Sequence, residues 1–483
     1  MNEIESLTVA EAPIVVDLDG TLLRTDLLHE QFILLICQKP WLLLFVPFWL
    51  LRGKAALKRE LAQRITLDMT SLPVNEALLT WLRREKAQER VLALISASDD
   101  SLVQQFAVRF SGLFDIVQGS TGGTNLAGMR KLEFIRGRLG SHFSYAGDEH
   151  RDLVIWEHCG SAILAGRGLA LRKRLSSGVT VIGEFDTPTA TLSTWVRALR
   201  VQQWAKNLLL FVPLVLSGNL FEMHQFSAVV VGFLALSILA SGSYLFNDLM
   251  DLRADRLHRS KASRPLASGE LPMRFVFLAL PTIALTVVML FTVLPASFVV
   301  TALTYLIVTL TYSLFLKRAP ILDILTIATL FTLRIFAGAQ AAETPASAWL
   351  LVFSMFFFFS LATVKRFSEC KVVGAEGRSE LTGRGYRSDD ASTLQTMGIA
   401  SGFCSLLVFF LFLVDPASPV SRYAHPEFLS AVCVTLAYWL GRAWLIASRG
   451  QMHDDVVIFA LKDRVSLALG LLCVLLALLA RAQ

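Results

Sequence analysis

Asp17-Leu18-Asp19-Gly20-Thr21 sets two carboxylates two residues apart at a glycine turn. Such a pair divides labour: one carboxylate attacks phosphorus while the other shuttles a proton. Further along stand Ser96, a hydroxyl suited to a phosphate oxygen, Lys131, a cation for the phosphoryl charge, and Asp148 with Asp152, oxygen ligands of the kind Mg²⁺ takes. A second constellation is Asn247, Asp248, Asp251 and Asp255. At about 100° per helical residue these four share one quarter-turn-wide face. Three carboxylates on one face repel unless cations lie between them, and Mg²⁺ bridging to a diphosphate is the natural partner. Arg256, Arg259, Lys261 and Arg264 follow, cations where a leaving diphosphate needs them.

The elements that must position these groups differ between the halves of the chain. Residues 12–16 form a short apolar run that reads as a buried strand ending at Asp17, and residues 91–95 form a second ending at Ser96. Charged helical stretches separate them, so residues 1–185 read as an α/β domain. A Thr/Ser/Pro-containing stretch, 186–198, reads as a linker. Residues 199–483 are dominated by apolar segments, nine of them long enough to cross a bilayer, near 200–220, 226–246, 274–294, 297–316, 321–341, 347–364, 395–414, 427–447 and 464–480.

The chain's 483 residues are 54% hydrophobic and 17% charged, with a net charge of +6. A soluble enzyme carries roughly 25% charged residues, so a purely soluble or disordered protein is excluded. The alternate loops of the apolar half hold sixteen Lys and Arg on one side against Arg422 and Arg481 on the other. That asymmetry predicts a bacterial-type inner membrane, a cytoplasmic N-terminal domain and a C-terminus on the outer side. No basic-then-apolar leader precedes Pro13, so no secretory signal is expected. The six scattered cysteines suggest neither disulfides nor zinc, and no basic and aromatic pattern points to nucleic acid. Residues 32–51 are nearly all apolar but are interrupted by Lys39, Pro40 and Pro47. A crossing there would put Asp17 and Asp148 on opposite faces, so the segment reads as a helical cap or an interfacial element.

The order Asp17-x-Asp19, Ser96, Lys131, Asp148 and Asp152 resembles the haloacid dehalogenase (HAD) superfamily of phosphohydrolases over about residues 12–170. The resemblance implies a doubly wound α/β domain with a helical cap. It makes Asp17 the nucleophile, Asp19 the general acid and base, and Ser96 and Lys131 the phosphate binders. Asp17, Asp19, Asp148 and Asp152 would be the Mg²⁺ set.

The run NDLMDLRADRLHRSKASRPLASG, residues 247–269, resembles the first aspartate-rich motif of UbiA-type intramembrane prenyltransferases, over about residues 195–480. That implies an all-α domain of nine transmembrane helices and Mg²⁺-dependent departure of pyrophosphate, with Asn247, Asp248, Asp251 and Asp255 holding the metal. In place of a second acidic motif the chain has Lys365-Arg366-Phe367-Ser368-Glu369 and Arg384-Gly385-Tyr386. With Gln203-Trp204-Ala205-Lys206-Asn207, Tyr312, Lys317 and Asp323 it looks like the decaprenyl-phosphate phosphoribosyltransferase branch. There the donor is phosphoribosyl pyrophosphate and the acceptor a polyprenyl phosphate, so the partners expected are a polyprenyl lipid and a phosphorylated small molecule. Asp323 and Arg334 lie about 20° apart around one helix. An arginine inside a span is costly unless it faces a polar cavity, so Arg334 joins Lys206, Arg264, Lys317, Lys365 and Arg366 as candidate phosphate binders. The alternatives are transfer of a polyprenyl group from its diphosphate to an aromatic or other small acceptor, or a transporter or membrane anchor whose only activity is the soluble phosphatase.

Overall fold

The computed structural model describes residues 12–121, 124–187, 190–258, 261–381, 384–415, 424–452 and 456–481. The chain divides into two compact units, one of Met1–Leu199 with Tyr244–Pro281, the other of Arg200–Ser243 with Thr282–Gln483. The segment Tyr244–Pro281, which hydropathy alone assigns to the membrane half, therefore belongs with the N-terminal residues.

The first unit is built on an all-parallel sheet of six strands in the order β3-β2-β1-β4-β5-β6. The strands are β1 (Ile14–Val16), β2 (Leu92–Asp99), β3 (Ile116–Ser120), β4 (Ser144–Gly147), β5 (Ser161–Ala165) and β6 (Thr180–Phe185). β1, β4 and β5 are buried throughout, as expected of parallel strands covered on both faces. Period-two alternation sorts their side chains. Ile14, Val16, Leu92 and Leu94 pack on one face with Leu102 and Phe106, while Val15, Ala93, Ile95 and Tyr145 pack on the other with Trp156. The order reverses at β1, which pairs with β2 on one side and β4 on the other. In a doubly wound sheet that is where the carboxyl ends of the strands open a crevice for ligand.

Helix α1 (Leu27–Gln38) starts at Asp26, whose side chain accepts hydrogen bonds from the amides of Leu28 and His29. The apolar stretch expected near 32–51 is not one helix. α1 ends at Gln38, a 3₁₀ turn covers Pro40–Phe45, and α2 (Val46–Leu51) follows. α3 (Lys54–Arg64) then packs back, with Leu35, Trp49, Leu57, Leu61 and Ile65 forming a small core. α4 (Met129–Leu139) carries Lys131. Tyr244–Pro281 contributes the end of α5 (Met223–Met250), all of α6 (Leu252–Leu257) and the start of α7 (Met273–Phe291).

This segment is fastened by specific contacts within its unit. Arg256 gives Glu30 two hydrogen bonds, 2.6 and 3.1 Å, in a pair whose side chains are each 6% exposed. Arg253 reaches Asp68 at 3.2 Å, Arg197 pairs with Glu270, and Phe32 meets Phe277 edge to face at 6.0 Å. Arg197 lies in the stretch read as a linker, where Leu192–Ala198 is a helix capped by Thr191.

The second unit is helical: α8 (Ala296–Leu314), α9 (Leu322–Ala341), α10 (Ala348–Ala375), α11 (Ala391–Val414), α12 (Glu427–Ser448), α13 (Val456–Lys462) and α14 (Arg464–Arg481), with the larger parts of α5 and α7. Among the described residues seven helices are long and apolar enough to cross a membrane, or eight if α13 and α14 form one span bent by 81°. The ninth expected span, near 200–220, is divided. Val201–Leu210 is a 3₁₀ helix and Phe211–Ser217 a short α-helix. Polar side chains tie the 3₁₀ part down: Trp204 Nε1 donates to Ser241 at 2.9 Å and Asn207 Nδ2 to Ser237 at 2.9 Å. Its far end meets α9 so closely that a Cβ on Gly338 would lie 2.0 Å from the Leu210 carbonyl oxygen. The bend before α14 falls at Asp463, which takes two hydrogen bonds from Arg442 and caps the amide of Ser466.

Candidate functional site

The carboxyl ends of β1 and β4 bring one acidic cluster together. Asp17 follows β1 and Asp148 follows β4, and Asp152 lies in the 3₁₀ turn His150–Asp152. Among the described residues these three could hold a metal ion, with carboxylate oxygens all within 4.8 Å of one another. Lys131 crosses from α4 to place Nζ 2.8 Å from Asp17 Oδ1, buried at 2% exposure. Its ammonium also donates to the Tyr145 hydroxyl at 3.1 Å, which donates to Asp152 Oδ1 at 2.9 Å. The other oxygen of Asp152 accepts the amides of Asp148 and Glu149, at 3.0 and 2.9 Å. Asp152 is thus held as a support for its neighbours. Gly20 keeps the turn open with φ of +76°, and a Cβ there would lie 2.5 Å from Asp148 Oδ2.

Electrostatics follow from burial of this much like charge. Burial lifts Asp148 well above the usual carboxylate range, against the pull of Arg167. Burial and then the charge of Asp17 push Asp152 up to about 6. For Lys131 burial works against the charge, but Asp17 and Asp152 outweigh it and the ammonium titrates above its ordinary value.

Asp19 stands apart. Expected among the metal ligands, it is absent from the three-carboxylate group, because its oxygens are turned to other partners: the Leu27 amide at 2.9 Å and the hydroxyls of Ser98 and Ser96 at 2.5 and 3.4 Å. Burial, then the charge of Asp26, pushes Asp19 up to about 7, against Lys58 and the Ser98 hydrogen bond. Such a carboxyl is poised to give and take a proton near neutrality. Ser96 is buried in β2 and also accepts the Ser98 amide at 3.1 Å.

Three residues near this cluster were not read from the sequence. Ser98 follows Ser96 by two positions, and the short apolar run that marked the strand stops at Ile95. Lys58, on α3, donates to the Ala97 carbonyl at 2.7 Å. Arg167 lies 2.7 Å from Asp148 Oδ2. Lys58 lies in the charged helix Lys54–Arg64 and Arg167 just past the apolar strand Ser161–Ala165, and only the fold brings them in.

The aspartate-rich segment of the same unit keeps its four oxygen-bearing side chains in one stretch, with α5 ending at Met250 and Asp251 starting α6. Asn247 Nδ2 donates to Asp251 Oδ2 at 3.2 Å. Arg264 bridges Asp248 and Asp255, at 3.0 and 2.5 Å, both aspartates being buried. Asp248, Asp251 and Asp255 are not gathered as closely as the first cluster, since a guanidinium stands between two of them. The donors are hard oxygens and so fit Mg²⁺. The same holds for Asp17, Asp148 and Asp152, whose spacing fits one ion. Arg259 lies outside the described residues.

In the second unit the basic candidates fall into two networks. Arg334, 5% exposed, donates Nε to Asn207 at 2.8 Å, one terminal nitrogen to the Leu330 carbonyl at 2.8 Å and the other to the Tyr305 hydroxyl at 2.7 Å. Lys206 lies over the Phe331 ring at 5.8 Å, and Arg334 lies over the same ring at 5.1 Å. The face shared by Asp323 and Arg334 therefore does not make them partners. Asp323, fully buried, accepts from Arg366 at 2.6 Å and from the Tyr386 hydroxyl at 2.5 Å, with Arg384 at 3.5 Å.

Arg366, expected as a phosphate binder, lies in the second network. Its side chain is 1% exposed and pairs with Asp323 and Glu369 and with the Tyr312 hydroxyl. Lys317 lies half-buried in the turn Leu316–Arg318, and Lys365 half-buried on α10 beside Arg366. Arg422, His453, Asp454 and Asp455 lie outside the described residues.

Comparison with known proteins adds family and relatives to this geometry. The profile of the UbiA prenyltransferase family matches residues 209–462. Protein y4nM of Sinorhizobium fredii is 36% identical over 95% of this chain and 89% of its own. Nodulation protein NoeC of Azorhizobium caulinodans is 37% identical over 57% of this chain and 89% of its own. The decaprenyl-phosphate phosphoribosyltransferase of Corynebacterium glutamicum is 30% identical over 58% of this chain and 86% of its own.

Proposed function

We propose that this chain, which belongs to the UbiA prenyltransferase family and is an integral membrane protein, transfers a 5-phosphoribosyl group from phosphoribosyl pyrophosphate to a polyprenyl phosphate. Its N-terminal domain, of HAD type, then removes the 5′-phosphate. The observation that carries the reading is the gathering of Asp17, Lys131, Asp148 and Asp152 at the switch point of a parallel sheet. It occurs in a chain similar, in its other half, to a decaprenyl-phosphate phosphoribosyltransferase.

In the transfer, an oxygen of the lipid phosphate forms a bond to ribose C1 as the bond to pyrophosphate breaks, and pyrophosphate leaves with the electron pair. Asn247, Asp248, Asp251 and Asp255 hold the diphosphate end of the donor, and Arg264 turns a cation toward the leaving charge. Lys206, Lys317, Arg334 and Lys365 serve the anionic groups of donor and acceptor. Basic residues in place of a second acidic motif suit an acceptor that is itself a phosphate. Arg366 is assigned the task of fixing Asp323 and Tyr312.

In the hydrolysis, Asp17 attacks the 5′-phosphorus and the ribose oxygen leaves, taking a proton from Asp19. Asp19 then takes a proton from water as the water attacks the aspartyl phosphate, releasing inorganic phosphate and restoring Asp17. Lys131 and Ser96 hold phosphoryl oxygens, and Asp152 keeps Asp148 and Tyr145 in place. Mg²⁺, held by Asp17 and Asp148 and by the aspartate-rich segment, supplies positive charge against phosphate oxygens when bound.

The test is purified protein with Mg²⁺, polyprenyl phosphate and ribose-labelled phosphoribosyl pyrophosphate, with Asp251→Asn as control. The expected result is label in the lipid that the control abolishes. Product formed instead from a polyprenyl diphosphate and an aromatic acceptor would overturn the donor and acceptor assigned here.

A further inference from the structure

The N-terminal unit carries an apolar surface that its own fold leaves uncovered. Within the twelve residues from Pro40 to Leu51, Trp49 faces inward at 7% exposure, with the Arg64 guanidinium 5.1 Å over its ring. Trp41, Leu44, Phe45, Phe48 and Leu51 face outward, at 60%, 76%, 51%, 65% and 85% exposure. So many large apolar side chains side by side mark an interaction surface.

Three observations identify its occupant. First, α1, which leads directly into this segment, touches the ends of two apolar helices long enough to span a membrane. Cys37 Sγ lies 3.6 Å from the sulfur of Met250, the last residue of α5. The ring of Phe32 packs on Phe277, in the first turns of α7. The apolar segment thus follows directly on a helix that packs against the ends of two such apolar helices. Second, its composition is that of a membrane interface: aromatic rings and leucines, followed at once by exposed Arg52 and Lys54, which suit anionic headgroups. Third, twelve residues of 3₁₀ and α-helix extend about 20 Å, too short for a hydrocarbon core of about 30 Å. The segment is able to lie on the bilayer but not to cross it.

We infer that Pro40–Leu51 is an interfacial anchor that lays the N-terminal domain on the bilayer, with Trp41, Leu44, Phe45, Phe48 and Leu51 among the acyl chains and Arg52 and Lys54 at anionic headgroups. The occupant is lipid, and the assignment is independent of which reactions the chain catalyses.

The test uses the whole protein in vesicles of phosphatidylcholine and phosphatidylglycerol that contain a lipid with a diazirine in its acyl chain, photolysed and mapped by peptide mass spectrometry. Label is expected on the peptide spanning 40–51 at a yield within about threefold of that on the outward faces of α8 and α11. Val108, 74% exposed in the same unit, serves as the reference outside the bilayer and is expected to stay unlabelled. Arg52→Glu with Lys54→Glu should lower the 40–51 yield at least about threefold with phosphatidylglycerol present and leave it unchanged in phosphatidylcholine alone. Spanning helices labelled with residues 40–51 blank would overturn the inference. So would cross-linking of 40–51 to a second copy of the chain in place of lipid.

Discussion

Lys131→Met is the perturbation that most sharply separates the geometry of the first cluster from coincidence. The lysine is 2% exposed and its ammonium lies 2.8 Å from Asp17. At an effective dielectric constant of about 20 the direct attraction over that distance is about 6 kcal/mol, part of which offsets the cost of burying both charges. Removing one partner of a buried pair leaves the other uncompensated and costs about 3–5 kcal/mol. Here the loss falls on Asp17 with Asp148 and Asp152 within 4.8 Å, so the upper part of that range is expected. Native-state hydrogen exchange reads the unit directly, because the amides of β1, β4 and β5 exchange only when the sheet opens. Without Mg²⁺ their protection should fall about a hundred- to several-thousand-fold, each tenfold step being about 1.4 kcal/mol. Added Mg²⁺ should restore more protection in the variant than in the wild type, since a cation then replaces the missing one. Unchanged protection, or equal gains from Mg²⁺ in both proteins, would refute the claim that Lys131 neutralises this cluster.

Asp19 sits at about 7 and must carry a proton to release the ribose oxygen, so the hydrolytic rate should fall on the alkaline side of about pH 7. Ser98 holds that value down by donating to the carboxylate; Ser98→Ala should shift the limb to higher pH, measured as the pH profile of phosphate release. Arg264→Gln removes the bridge between Asp248 and Asp255 and should lower lipid transfer at least about a hundredfold while phosphomonoester hydrolysis stays within a few-fold of wild type, measured side by side on one preparation. Arg366→Leu leaves Asp323 buried without its closest cation, and thermal unfolding in detergent should show a loss of about 3–5 kcal/mol.

Asp17 was legible because it follows the apolar run 12–16, and in a parallel sheet the ends of such runs meet on one edge. Asp148 and Asp152 were read from their order after Asp17, Ser96 and Lys131, the order that carries the HAD resemblance. Ser98, Lys58 and Arg167 carried no motif of their own, since their partners are a carboxylate in the turn after β1, a backbone carbonyl and an aspartate 19 residues away. The 3.6-residue period rightly put Asp323 and Arg334 on one face of α9, but periodicity names a face and not a partner, and neighbouring helices gave them Arg366 and Asn207. Hydropathy counted residues 200–220 as a span because it sums side chains and does not register the polar anchors Trp204 and Asn207 that hold the chain in a 3₁₀ form. The union of Tyr244–Pro281 with the N-terminal unit was beyond sequence reading, resting on contacts such as Glu30 with Arg256, 226 residues apart.

Transfer followed by dephosphorylation on one chain is read by mass spectrometry of the lipid made by Asp17→Asn from polyprenyl phosphate and phosphoribosyl pyrophosphate. The variant should accumulate polyprenyl-phosphoryl ribose still bearing its 5′-phosphate, while the wild type under the same conditions yields the lipid lighter by that phosphate. The same dephosphorylated lipid from both proteins, or no ribosyl lipid from either, would contradict it.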